Sequence, residues 1–153
     1  MNFVKMASNA RHNRFPSFLP VQRMTEKEKA GILYVGITAA LGDLAKAYRG
    51  SQAEKLDAYC AVLRYFLEIG SDRQWLYKML LSDKELQAMQ EKWQAPSINT
   101  VFLILEQQLL NCYFKHQEAA FLHAWHILIK FGLVELGFSP AAIEERFKEL
   151  YPL

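Results

Sequence analysis

The chain is poor in the residues that punctuate β structure and in those that build covalent frameworks. Seven glycines and five prolines in 153 residues are too few for a turn-rich β protein. No Asn-Gly or Asp-Gly pair signals a tight hairpin, and period-two alternation is nowhere sustained. Two cysteines, Cys60 and Cys112, cannot make a disulfide framework. Both fall in apolar helical patterns and are expected as buried free thiols in a reducing compartment. The net charge is only +2, so no global attraction to a polyanion is implied. No run reaches the ~18 apolar residues of a membrane span. The nearest, residues 119–138, carries His123, His126, Lys130 and Glu135. The first residues lack the apolar core of a signal peptide, so a cytoplasmic protein without a membrane partner is expected. A Gly-rich phosphate loop, a Gly-x-Ser-x-Gly elbow and a Cys-x-x-Cys pair are all missing, which removes the commonest motif-borne chemistries.

What remains is apolar and helical. Hydrophobic residues make up 52% and charged residues 22%. That suits one domain with one core, with a slight apolar excess pointing to burial against a second subunit. Residues 1–24 show no sustained period. Lys5, Arg11, Arg14 and Arg23 precede the first acid, Glu26. This stretch reads as a basic arm carrying at most a short helix, and residues 25–153 as a single helical domain. Four scattered cations are better explained as a solvated tail than as a nucleic-acid surface.

Helix signals follow one another from Thr25. Thr25 to Glu28, Ser51 to Glu54 and Ser82 to Glu85 have capping-box spacing, and Ser71 to Gln74 has the same form. Gly50, Gly70 and Gly137 read as helix ends. Ser97 or Asn99 opens a span too long for one helix, with a break expected near residues 115–118. Ser139-Pro140 opens the last helix. The expectation is an antiparallel bundle of about six to seven helices.

Two faces matter for function. On the helix after Ser51, Leu56, Tyr59, Cys60, Leu63, Phe66 and Leu67 form one apolar stripe. Ala58, Ala61, Val62, Tyr65 and Ile69 form another, and Asp57, Arg64 and Glu68 occupy a narrow polar band between them. On the helix after Thr25, Leu33, Ile37, Leu41, Leu44 and Tyr48 form the main stripe. Gly36, Ala40 and Ala47 make a small-residue strip with Asp43 among them. His116, His123 and His126, with Lys130, oppose the stripe of Phe121, Trp125 and Ile129. His-x-x-His can ligate a metal, but a solvated polar face accounts for these residues. Residues 61–70 (AVLRYFLEIG) and 124–132 (AWHILIKFG) share a rhythm that two core helices of similar length would also give.

Three segments carry a resemblance. ILYVGITAALGDLAKAYRG (32–50), LDAYCAVLRYFLEIG (56–70) and FLHAWHILIKFGLVELGFSPAAIEERFKELYP (121–152) resemble, in the same order, segments of dimeric dUTPases and MazG-like all-α nucleotide pyrophosphohydrolases. That resemblance implies a dUTPase-like bundle, a homodimer and Mg²⁺-dependent cleavage between phosphates. In the family, paired carboxylates three residues apart on two helices cage the metal. Here the matching positions become Ala40 with Asp43 and Ala58 with Ala61, so Asp43 is the one acid retained. The resemblance therefore implies a scaffold without catalysis, acting as a dimeric nucleotide- or protein-binding regulatory module. An alternative keeps the enzyme, with Mg²⁺ held by Asp43, Glu54 and Asp57. A further alternative is a small helical adaptor working through the basic arm.

Overall fold

A computed structural model describes residues 1–13 and 25–153. Among them are eight α-helices and one π turn, and no strand. The helices are α1 (Phe3–His12), α2 (Glu26–Ala47), α3 (Gln52–Asp72), α4 (Leu76–Met79), α5 (Asp83–Gln90), α6 (Ile98–Lys115), α7 (Glu118–Lys130) and α8 (Pro140–Leu150). The all-helical expectation holds, and the count of eight exceeds six to seven because α1 adds a helix before Thr25.

The starts lie where the caps place them. Thr25 and Ser82 accept from the third amide of their helices while Glu28 and Glu85 return the bond, so both boxes are complete. At Ser51 the serine accepts from the Glu54 amide. Ser97 and Ser139 cap α6 and α8, and Pro140 occupies the first turn of α8. The long span breaks at His116, whose left-handed φ of 54° ends α6.

Two glycines do something other than end a helix. α3 runs through Gly70 to Asp72, and Ser71 opens nothing. A β-carbon on Gly70 would lie 2.2 Å from the Met79 sulfur, so this glycine lets the α4 segment lie against α3. Helicity likewise continues through Gly132 as the π turn Phe131–Glu135. Tyr59 explains it. Its hydroxyl donates to the Leu128 carbonyl at 2.8 Å, and a β-carbon on Gly132 would sit 2.3 Å from that hydroxyl. The inserted side chain occupies the carbonyl that the Gly132 amide would use in a regular helix, and the ladder loosens to the Leu136–Phe131 bond. Gly137, at φ +73°, then ends the helix as expected.

α3 and α7 are the central elements. Tyr59, Leu63, Phe66 and Leu67 of α3, and Phe121, Trp125 and Leu128 of α7, are completely buried. The polar band on α3 is correspondingly not a solvated one. Arg64 and Glu68 are each 1% exposed and pair at 2.6 Å, with the guanidinium over the Tyr65 and Tyr151 rings.

The described part of the N-terminal stretch is the short helix that the sequence allowed there. α1 buries Phe3, Met6, Ala7 and Ala10 and packs on α3 and α8. Its apolar positions recur at intervals of three and four, and Asn2 caps it. Arg11 and His12 lie in its last turn, while Arg14 and Arg23 lie outside the described residues.

α2 packs most extensively on α3 and also touches α6. Gly36 permits the close approach, since a β-carbon there would lie 2.4 Å from the Tyr65 ring. Ile37, Ala40, Leu41 and Leu44 are buried in this contact side of α2. The helix is long and apolar enough, at a mean hydropathy of 1.3, to cross a membrane by length and composition, with 28% of that window buried. Scattered charges at its ends concealed this from a search for uninterrupted apolar runs. Within this fold it is a bundle helix with one face left open.

Candidate functional site

The acids of the expected metal cage do not come together. Asp57 donates nothing and accepts twice from Arg146 of α8, at 2.7 and 3.0 Å. That guanidinium holds its carboxyl below the usual aspartate range. Asp43 and Glu54 are exposed. Among the described residues no three His, Cys, Asp or Glu side chains are grouped so that they could hold a metal ion. The residues present therefore do not fit Mg²⁺, which needs several oxygen ligands in a strict octahedron. Ala40 is buried in the bundle, and Ala58 and Ala61 are half-buried beside it on α3. His116 stands apart at the end of α6, whereas His123 and His126 share the exposed side of α7.

Two hollows lie instead between α2 and α6. One, of about 580 Å³, is bounded by Lys27, Tyr34, Arg73, Cys112, Tyr113 and His116. The other, of about 680 Å³, is bounded by Gly31, Val35, Thr38, Leu110, Tyr113 and Phe114. They share Tyr34, Tyr113 and Phe114, so they are two halves of one groove.

The groove is built from small and aromatic residues in register. Tyr34 and Tyr113 lie with ring centroids 5.0 Å apart, and Phe114 meets Tyr113 edge-on at 4.9 Å. Gly31 faces the Tyr113 hydroxyl, which a β-carbon would approach to 3.2 Å. The Tyr34 hydroxyl and the Cys112 sulfur are 3.2 Å apart. Burial, then the contact with Cys112, push the Tyr34 phenol well above its usual range, and Arg73 pulls the other way. Burial also raises the Cys112 thiol. Both shifts favour the neutral forms, which suit the Tyr34–Cys112 hydrogen bond.

The two halves differ in chemistry. The first brings Lys27, Arg73 and His116 around the aromatic pair, with Glu26 on its edge. It also opens at the N-terminus of the 22-residue α2, where the helix dipole favours an anion. Arg73 is held by its own stacking on Trp75, at 4.8 Å. The second half is almost wholly apolar and runs out onto exposed Val35, Leu103, Leu110 and Phe114. Aromatic walls beside a guanidinium and an ammonium suit a flat ring carrying an anionic group. None of these residues stood out in the sequence as a site, since the chemistry was sought in acids. The available signal was on α6, where Leu103, Leu110 and Phe114 stand seven and four residues apart, a line that the buried Leu105, Leu109 and Cys112 do not share.

No protein-family model matches the chain, and neither the curated proteins nor the solved structures contain a significant match.

Proposed function

We propose that this chain is a dimeric, dUTPase-like helical module that binds a nucleotide in the α2–α6 groove without hydrolysing it. The observation that carries this reading is the groove itself, with the Tyr34 and Tyr113 rings in tilted contact beside Arg73 and Lys27. A base stacks on the aromatic pair and its phosphate meets the two cations. The engagement of Asp57 by Arg146 supports binding over catalysis, because it takes a carboxylate from the cage that hydrolysis would need. A titration with dUMP and dUTP tests this. Wild type is expected to bind at least one of them, and Arg73→Ala at least tenfold more weakly, because a charge-assisted bond is lost. Equal affinity in the two proteins would remove the groove as the nucleotide site.

The open face of α2 supports the dimer. Exposed Val35, Thr38, Gly42 and Ala45 recur at intervals of three and four along it, with exposed Glu28 at one end and Arg49 at the other. Laid antiparallel across a two-fold axis near Thr38, this stripe is self-complementary. Glu28 then meets Arg49 of the partner subunit at both ends, and the small residues let the helices approach closely. Sedimentation at micromolar concentration is expected to give a dimer, and Val35→Glu a monomer. A monomeric wild type would contradict this part of the reading.

A further inference from the structure

Away from the α2–α6 groove, another hollow of about 360 Å³ lies between α5, α6 and the end of α7. Val101, Ile104 and Phe131 supply apolar wall, and the exposed side chains of Lys92, His123 and His126 line it as well. Its volume falls in the usual range of small-molecule sites.

Glu135 is its distinguishing group. The π turn adds a residue to the helical path, which rotates Glu135 by about 100° from where a regular helix would carry it. Its side chain is 1% exposed. One carboxylate oxygen, Oε1, accepts from the Ala95 amide at 2.8 Å and from the Lys130 ammonium. The other, Oε2, is buried with no hydrogen-bond partner among the described residues. A buried carboxylate oxygen left without a donor is costly, and Glu135 lines the hollow, so a donor entering there would relieve that cost.

The rest of the lining says what that donor is attached to. With Lys130 paired to Glu135 and Glu85 acting on His126, Lys92 is the lysine of the lining left to meet an acid. Phe131, itself edge-on to Phe102 at 5.5 Å, and Ile104 offer apolar surface to a flat ring. His123, His126 and Glu135 are not grouped as metal ligands. Partial desolvation lowers the His126 imidazole, so Lys92 supplies the surer positive charge.

We propose that this hollow binds a small heteroaromatic acid whose ring N–H donates to Glu135 Oε2 and whose carboxylate meets Lys92 and His123. The inference does not depend on the nucleotide reading, which concerns the opposite side of α6.

Indole-3-propionate is the probe, titrated into the full chain and followed by amide NMR shifts. Binding is expected with a dissociation constant on the order of 1 mM or tighter, given the size of the ligand. The shifts should centre on Ala95, Phe131 and Glu135. The N-methylated indole acid, which lacks the donor, should bind at least tenfold more weakly to the same protein. Glu135→Gln should lose a similar factor. Should that variant fold poorly, the comparison of the two acids on wild type decides alone. No shifts at tens of millimolar, equal affinity for the two acids, or shifts centred on Tyr34 and Tyr113 would each overturn the proposal.

Discussion

Replacing Trp125 with alanine should cost about 3–5 kcal/mol of stability, the largest loss expected from any single truncation in this chain. Trp125 is completely buried. It meets Phe3 edge-on at 5.5 Å and Phe66 at 5.7 Å, and its indole N–H donates to the Met79 carbonyl at 2.9 Å. One side chain thus ties together α1, α3, the end of α4 and α7. The cost approaches the whole stability of an ordinary domain. For a chain of this length it should lower the thermal midpoint by about 10–15 °C. Trp125→Phe keeps most of the ring contact but leaves the Met79 carbonyl without its donor, so about 1–3 kcal/mol is expected there. Calorimetry of the two variants gives the comparison. A loss below about 1 kcal/mol for the alanine variant would mean that α1 does not pack against α7 as described.

Gly132→Ala should be nearly as damaging, though it adds a single methyl group. The new carbon would lie 2.3 Å from both the ζ-carbon and the hydroxyl of Tyr59. Tyr59 has no exposed surface into which to retreat, and shifting it breaks the bond to the Leu128 carbonyl. Overpacking of about 1–3 kcal/mol adds to a buried bond worth about 1–3 kcal/mol once its partners are stranded. Gly36→Ala provides the control. Its β-carbon would also meet a tyrosine ring, but Tyr65 is half-buried and can swing outward, so a smaller loss is expected. Combining Gly132→Ala with Tyr59→Leu should restore part of the loss, because the two residues compete for one space. Simple additivity of the two changes, measured by denaturant unfolding, would show that Tyr59 does not shape the π turn.

These two residues also mark the limit of what the sequence made legible. The helix starts were readable because a serine or threonine three residues before a glutamate solves a local problem, the unpaired amides of the first turn. Thr25, Ser51 and Ser82 act locally, and the structure places them accordingly. Gly70 was read as an end, and Gly132 was given no role, because what each does is tertiary. Each makes room for a side chain from a distant element, Met79 in one case and Tyr59 in the other. The shared rhythm of residues 61–70 and 124–132 reflects two central helices that each need such a gap. α1 was allowed only as a short helix within a basic arm because Lys5 and Arg11 drew attention to charge, although Phe3, Met6 and Ala10 have helical spacing and are buried.

The site was harder still. Asp57 looked available as a ligand because nothing local pairs with it, and its partner Arg146 lies 89 residues away. Arg64 and Glu68, placed by spacing in a narrow polar band of α3, prove interior to the bundle, since α1 and α8 both pack on α3. The groove residues Tyr34, Arg73 and Tyr113 come from three different helices or their ends, and no spacing in the sequence links them.

The central claim is that the groove holds a nucleotide without a metal and without cleaving it. The most direct measurement is the thermal midpoint of the wild-type chain with dUTP, dUMP and other nucleotides, in chelator and again in Mg²⁺, with released pyrophosphate assayed in the same samples. A ligand that binds only the folded state raises the midpoint by mass action. The expected result is a rise with at least one nucleotide in chelator, undiminished in Mg²⁺, with no pyrophosphate formed. A rise confined to Mg²⁺ and accompanied by pyrophosphate, or no rise with any nucleotide, would contradict it.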